Sequence, residues 1–351
     1  MSKNRTRMSD IAVHAGVSIA TVSRVVNGTG QVSDDTRHRV LVAIDSLGYE
    51  RPSFERTQSS RSIAIVTPEL VNPVFASYAH QLQVEISRSG GLPLICTQTP
   101  GATSEEDFVH YLVDSGVAGI IFVSGRHADS NCDLTRYLRL QEAGFPFVTI
   151  NGARDALAAP DFSTDDAAGI RAAVSHLVGL GHSRIALLGG RGHITPASRK
   201  ISAFRSACLE LLGQKKPPVA ETFYTYEAAA AAAKQLLSQG VTALLCGSDL
   251  QALGAIRTAH AQGLSVPGDL SVIGFDDTIL MGHVEPPLTT IRQPIQAIAT
   301  AAVQSLWQLF DQEETPPSSF EYTPDLVVRS STAPPKTSRA LRPARLTTQA
   351  G

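Results

Sequence analysis

The segment DIAVHAGVSIATVSRVVNG, residues 10–28, decides how the first part of the chain is read. Ile11, Ala12 and Ala15 fall on one face of a short helix that Ser9 can cap. Gly16 suits the left-handed stop that ends it. Ser18 can cap a second helix running to about Asn27, with Val22, Val25 and Val26 on one side and Ala20, Ser23, Arg24 and Asn27 on the other. A third helix follows, capped by Ser33, with Val40, Ala43, Ile44 and Leu47 inward and Gly48 at its end. Two short helices joined at a glycine turn, the second presenting small and polar groups, have helix-turn-helix form. Such a helix must bring its N-terminal residues to base edges, which excludes bulky outward side chains. Ser and Thr at helix starts can hold phosphates, and Arg24 can donate two hydrogen bonds to a guanine edge. Pattern alone leaves DNA binding and an ordinary three-helix packing unit about equally open.

Beyond this unit the character of the chain changes. Residues 50–61, ERPSFERTQSSR, are polar, charged and poor in apolar side chains, and read as a linker. From residue 62 short apolar runs alternate with amphipathic stretches. The runs are IAIVT (63–67), LPLICT (92–97), AGIIFVSG (118–125), PFVTING (146–152), RIALLGG (184–190), TALLCGS (242–248) and LSVIGFD (270–276). Helical stretches such as 73–89 and 165–179 lie between them. That alternation predicts parallel sheets in an α/β body, and its length is large for one sheet, so two similar lobes with a cleft are expected. Trp307, in the helical run SLWQLF, is expected in the core. Residues 333–351, rich in Pro, Ser, Thr and Arg, are expected to form a disordered tail.

Of 351 residues, 43% are hydrophobic and 18% charged, enough for a sizeable core, and at ~150 residues per domain two or three units are expected. The net charge of -2 is unevenly placed. Residues 1–61 carry nine Lys and Arg against six Asp and Glu, 62–332 carry 17 against 26, and 333–351 carry four against none. A basic head on an acidic body fits an anionic partner at one end. No apolar run approaches the ~20 residues of a bilayer span, and the basic start leads into Asp10 rather than an apolar stretch, so no membrane association and a cytoplasmic location are expected. Cys96, Cys132, Cys208 and Cys246 form no CxxC pair, and the ten histidines show no HxxxH or HExxH spacing. No metal or other cofactor is expected. GxSxG, Walker A and a full GxGxxG are missing, and GGRGH (189–193) lacks the Lys-Ser/Thr of a phosphate loop, so no enzyme is predicted.

The run DIAVHAGVSIATVSRVVNG…VSDDTRHRV…AIDSLGY resembles, without a gap from Met8 to Tyr49, the DNA-binding head of the lactose-repressor family of bacterial regulators. GHSRIALLGG (181–190), ALGAIRTAHAQGLSVPGDLSVIGFDD (252–277) and PPLTTIRQP (286–294) resemble the effector-binding body of the same family, so the likeness extends to about Arg329. It implies a small all-α helix-turn-helix head (1–49), a linker or hinge (50–61), an α/β body of two doubly wound parallel-sheet lobes like periplasmic binding proteins (62–332), and the tail. It also implies a transcriptional repressor that binds a near-palindromic double-stranded DNA operator as a homodimer, modulated by a small molecule. The tail, with only Leu341 and Leu346, shows no leucine heptad of the kind that makes tetramers in the family. By position, Ile19, Ala20 and Arg24 would read bases, and Ser18, Thr21, Ser23, Asn27, Ser33 and Thr36 would contact phosphate or sugar. Capping by Ser33 and Thr36 is compatible with that role.

The linker is about three residues shorter than usual in the family and lacks the leucine that is wedged into the minor groove. Phe54 can serve as that wedge or simply pack. Leu70, Asn72 and Phe75 would line the first lobe and Asn151 the lobe junction. Asp276, the first acid of GFDD, matches a hydroxyl-binding aspartate, with Asp277 structural. Where the family commonly has Arg, this chain has Lys200 with Arg199 beside it. Where it has Asn before Asp, this chain has Ser248 before Asp249. A sugar or sugar derivative is the expected effector, with a purine or nucleoside as runner-up. The alternative is an intracellular small-molecule-binding protein whose head binds DNA weakly or not at all.

Overall fold

The computed structural model describes residues 6–27, 32–49, 61–98, 104–311 and 318–336. They fall into two compact units, one within Met1–Ser60 and one within Arg61–Gly351. Most of the expected linker, Phe54 included, and residues 337–351 lie outside the described residues.

The head contains α1 (Met8–Ala15), α2 (Ile19–Asn27) and α3 (Asp34–Ser46). Ile11, Ala12, Ala15, Val22, Val25, Val40 and Ala43 form its core, with Ile44 and Leu47 packed against it. Gly16 takes the left-handed conformation (φ 64°) and lets the chain turn from α1 into α2. Ser18 Oγ accepts the Thr21 amide (3.1 Å), and Ser33 Oγ accepts that of Thr36 (3.4 Å), so both caps are in place. Ser9 is not a cap: α1 begins at Met8, because the Asp10 carboxylate accepts the Arg7 amide (2.7 Å) and fixes the helix start two residues earlier in the chain.

The body is built as two lobes. In the first, β1 (Ser62–Thr67), α4 (Pro73–Arg88), β2 (Leu92–Thr97), α5 (Glu105–Asp114), β3 (Gly119–Val123), α6 (Thr135–Glu142), β4 (Phe147–Ile150) and β5 (Asp161–Thr164) follow in turn. The chain then crosses over. The second lobe comprises α7 (Asp166–Gly179), β6 (Ile185–Gly189), α8 (Thr195–Leu212), β7 (Val219–Glu221), α9 (Tyr226–Leu237), β8 (Ala243–Cys246), α10 (Asp249–Ala261), β9 (Ser271–Asp276) and β10 (Thr289–Arg292). A second crossing returns to α11 (Ile295–Phe310) and β11 (Ser319–Tyr322) in the first lobe, and a third leads to β12 (Asp325–Val327) in the second. The sheet orders are β11-β5-β4-β3-β1-β2 and β12-β10-β9-β8-β6-β7. Every pairing is parallel except β12 on β10.

The apolar runs are continuous because helices cover both faces of each sheet. In β1 the pleat sends Ile63 and Ile65 into one cluster, with Ile121 and Val123, and Ala64 and Val66 into the other, with Ile120 and Phe122. The second lobe repeats this, with Ala186 and Leu188 on one face of β6 and Ile185 and Leu187 on the other. Trp307 packs on the first-lobe core, edge-on to Phe310. The edge strand β2 is different, because Leu92, Leu94 and Ile95 remain exposed. Residues 333–336, expected as the start of the tail, are held on the second lobe. There Ala333 exchanges hydrogen bonds with His182 and Ser271, and Lys336 pairs with Asp269. Among the described residues no helix is long and apolar enough to cross a membrane.

The head has a single small core, so losing one of its central side chains should unfold it alone. Ile11→Ala is expected to cost about 2–5 kcal/mol, abolishing amide-exchange protection in α1–α3. The body's thermal transition should stay within a degree or so of wild type, which calorimetry alongside exchange would check.

Candidate functional site

On the head, α2 buries Val22 and Val25 and presents the opposite face outward. Ile19 and Ala20 are exposed at its start, Arg24 is exposed one turn further on, and Thr21 and Ser23 are half-buried. Ser18 and Thr21 hydroxyls lie 2.9 Å apart. Ser33 donates to the Thr36 hydroxyl (2.9 Å), so these two side chains complete a helix start. The side chain of Asn27 and all of Phe54 lie outside the described residues. An N-terminal helix end flanked by hydroxyls, with an exposed guanidinium, has the donors that a DNA backbone and a guanine edge require.

In the body, a cavity of about 110 Å³ lies between the lobes at the carboxyl ends of the strands, where open α/β sheets bind ligands. The first lobe contributes Asn72, Val74, Phe75 and Tyr78 from the start of α4, Ser124 after β3 and Asn151 after β4. The second contributes Ile194, Pro196 and Lys200 at α8, Tyr224 after β7, Gly247 and Ser248 after β8, and Asp276 at the end of β9. Gln293 lines the cavity from the second crossing. Four described non-glycine residues have positive φ: Ser124 (44°), Asn151 (64°), Asp276 (117°) and Asp277 (52°). Three of the four line the cavity. Each costs of order 1–3 kcal/mol and persists only where its surroundings dictate it. Asn151 Nδ2 donates to Ser124 Oγ (3.3 Å), and Asp277 is gripped by Arg292 and Arg329, each at 2.7 Å.

Gln293 ties the two lobes together. Its Oε1 accepts from Tyr78 Oη (2.9 Å) and Thr164 Oγ1 (2.8 Å) of the first lobe, and its Nε2 donates to Asp276 Oδ1 (2.6 Å) of the second. Burial holds the Tyr78 phenol well above its ordinary pKa, so it acts as the donor. Burial, then the negative charge of Asp249, pushes the Asp276 carboxyl well up, against the opposing pull of Lys200 and Gln293. Burial works against the Lys200 ammonium, but Asp166, Tyr224 and Asp276 more than offset it and its pKa is raised. Lys200 Nζ lies 2.9 Å from Asp166 Oδ1 and 3.9 Å from the centre of the Phe275 ring. The Tyr224 hydroxyl is buried without a hydrogen-bond partner, near the Gly190 backbone and the charge of Lys200. A Cβ at Gly190 would lie 2.4 Å from the tyrosine ring, so glycine is required there.

A backbone clasp closes one side of the cleft. Ser130 N–H donates to His193 O (2.8 Å), Asp129 and Ile194 form an antiparallel bridge, and Thr195 Oγ1 donates to Ala128 O (3.0 Å). The first-lobe loop is anchored from beneath. The buried His127 amide donates to Tyr137 Oη (2.9 Å), Tyr137 donates to Glu105, and Glu105 also accepts from the Arg126 amide (2.9 Å). Burial lowers the His127 pKa, so the ring is neutral within this network.

Of the residues expected at the effector site, Asn72, Phe75, Asn151, Lys200, Ser248 and Asp276 come together around the cavity. Three do not. Leu70 is 42% exposed in the loop after β1 and is not among the residues lining the cavity. Arg199 turns to Asp166 (2.9 Å) and Glu321 (3.8 Å), because successive helix residues differ by about 100° and only one of the pair can face inward. Asp249 lies beneath the wall, accepting from the Thr278 amide (2.8 Å) and from Thr290 Oγ1 (2.6 Å). It supports the turn that carries Asp276. Tyr78, Ser124, Tyr224 and Gln293 were missed. Tyr78 sits one turn beyond Val74 and Phe75, a spacing that puts it on their face. Gln293 and Tyr224 follow β10 and β7, strands that the apolar pattern does not reveal.

Burial raises the Asp249 pKa to about 6, with its hydrogen bonds from Thr290 and Thr278 acting against that. Its folded pKa therefore exceeds its unfolded one, so its contribution to stability is greatest below about pH 4 and declines as pH rises through about 6. Relative to Asp249→Asn, the wild-type body should lose on the order of 2–3 kcal/mol across that window. Urea unfolding of both proteins at a series of pH values checks the sign and the window.

Residues 7–52 match the family model "Bacterial regulatory proteins, lacI family", and residues 174–332 match "Periplasmic binding protein-like domain". Among curated relatives, the HTH-type transcriptional regulator MalR of Streptomyces coelicolor is 46% identical, covering 93% of this chain and 97% of its own. Among solved structures, a complex of the transcriptional regulator CelR with cellobiose has a TM-score of 0.69 at 30% identity, covering 93% of this chain and all of that one. The lac repressor dimer bound to operator and the anti-inducer ONPF has a TM-score of 0.69 at 27% identity, covering 94% and 100%. With its helix-turn-helix head, its two parallel-sheet lobes and these relatives, the chain belongs to the lacI family of bacterial regulatory proteins and is a DNA-binding transcriptional regulator.

Proposed function

We propose that this regulator is a repressor which binds a near-palindromic operator as a homodimer, and that a sugar in the cleft modulates that binding. The observation that carries the reading is the cleft. Strained Ser124, Asn151 and Asp276 converge there with Lys200, Tyr224 and Gln293, polar groups set in a largely apolar lining. Directed acceptors and donors of this kind suit vicinal hydroxyls, and the CelR relative is described with a bound sugar. A single head buries too little DNA for a tight, specific complex, so two heads on a two-fold site are needed. The exposed apolar edge of β2 (Leu92, Leu94 and Ile95) offers a surface that a second copy would cover. The lac repressor relative is described as a dimer.

In this reading α2 enters the major groove. Arg24 reads a guanine, and Ile19 and Ala20 make apolar contacts that select thymine methyls or local shape. Ser18, Thr21, Ser23, Asn27, Ser33 and Thr36 fix the register on phosphates. Phe54, in the linker, is the candidate for a wedge between base steps. The cavity is smaller than the ~150 Å³ that holds a benzene molecule, so an effector of hexose size requires the lobes to part. Parting breaks the 128–130/193–195 clasp and stresses the Gln293 junction. The effector thereby shifts the population between lobe arrangements, and head binding follows.

Selection of duplexes from random DNA, with and without a pool of neutral sugars, tests this directly. A two-fold-symmetric site should be enriched, and its recovery should change with the pool. An enriched site that responds only to nucleosides would overturn the sugar reading, and no enriched site at low salt would overturn the operator reading. Arg24→Ala should weaken binding to the selected site by about 1–3 kcal/mol and relax one base position in each half-site. Competition binding with single-base variants measures this.

A further inference from the structure

Resting on the proposal of a sugar effector, we infer that the cleft selects uncharged sugars and rejects phosphorylated or acidic ones. Among the described residues, the charged side chains lining the cavity are Lys200 and Asp276. The cation is already committed: Lys200 Nζ is held by Asp166 at 2.9 Å and lies over the Phe275 ring. Among the described residues Asp276 makes no ion-pair contact: Lys200 acts on it only through its charge, and its hydrogen-bond donor is the Gln293 amide at 2.6 Å. No arginine is among the described residues lining the cavity, although Arg199 Nη2 is buried without a hydrogen-bond partner. Arg199 bonds Asp166 and Glu321, Arg154 donates to the carbonyls of His127 and Asp129, and Arg191 lies over Phe223. An anion entering this cavity would lose water, face Asp276, and find no free counter-charge.

The helix starts are depleted of amides that could supply the missing counter-charge, although α8 has no side-chain cap. The starts of α4, α8 and α10 all reach the cavity, and helix N-termini are ordinarily good anion sites through their free amides. Here Pro73 and Pro196 remove an amide from the first turns of α4 and α8. The amides of Val74 and Gln251 are taken by the caps Asn72 (3.5 Å) and Ser248 (3.2 Å). What remains are groups that pair with hydroxyls: the carboxylate of Asp276, the partnerless Tyr224 hydroxyl, and the amides of Asn151 and Gln293.

Titration calorimetry on the full chain separates the two readings. Cellobiose, maltose and ribose are each titrated alongside their monophosphate esters and aldonic acids. For each neutral sugar that binds, the charged derivative should bind at least tenfold more weakly. A phosphate ester that binds as tightly as its parent overturns charge selection and leaves the sugar reading standing. Failure of every sugar, neutral or charged, overturns both. Inorganic phosphate provides an arm independent of sugar identity. It should show no saturable binding to the wild type, whereas Asp166→Asn, which frees Lys200, should gain it. Saturable phosphate binding in the cleft of the wild type, abolished by Lys200→Gln, overturns the inference. Should Asp166→Asn fail to fold, Asp276→Asn serves instead: the preference for neutral sugar over its phosphate should shrink at least tenfold, and an unchanged preference overturns the inference.

Discussion

Gln293 joins the two lobes at the point where the ligand cavity forms. It sits on the second of three crossings, accepts from Tyr78 and Thr164 on one side and donates to Asp276 on the other. All of these groups are buried or partly so, where an unmade hydrogen bond costs more than the made one contributes. The junction therefore favours a definite angle between the lobes. The strained backbone at Asp276 is held by Gln293 and that at Asn151 by its side-chain bond to Ser124. The other two crossings are tied to each other: the Asp165 amide donates to Tyr322 O (2.9 Å).

Electrostatics divides the cleft from its surroundings. Asp166, at the start of α7, gathers both Lys200 and Arg199, and Arg199 reaches across to Glu321 of the first lobe. Removing one member of such a buried set leaves an uncompensated charge, so the set behaves as a unit. Asp249 performs a different task from that suggested by its place beside Ser248. Three hydrogen bonds from Thr278 and Thr290 spend its acceptors on the turn behind Asp276. The site thus has an inner face that meets ligand and an outer shell that holds that face in a strained shape.

How much of this was legible in the sequence depended on what each residue pairs with. Strands such as IAIVT and GIIFV are apolar on both faces and declared themselves. β5 (DFST) and β10 (TTIR) are equally buried but polar, and stay buried only through specific partners: Ser163 on Asp161, Thr290 on Asp249 and the Thr289 amide on Ser331. No local pattern announces such pairings. Asn72, Asn151, Ser248 and Asp276 could be placed only through the resemblance to the family, by their positions in its motifs. Tyr224 and Gln293 take their roles from contacts across the second lobe or between lobes, and could not. Lys200 and Arg199 were indistinguishable until the phase of α8 was known. The helix-turn-helix was the most readable part, because local caps and a single glycine turn specify it.

We propose that the cleft governs operator binding by the head through the junction at Gln293. Operator affinity should be measured by fluorescence anisotropy, with and without a sugar that calorimetry shows to bind, for wild type and Gln293→Leu. The account predicts that wild type changes its operator affinity at least tenfold on adding the sugar. Gln293→Leu should still bind operator but lose most of that response. A variant that responds to the sugar as fully as wild type would contradict the account.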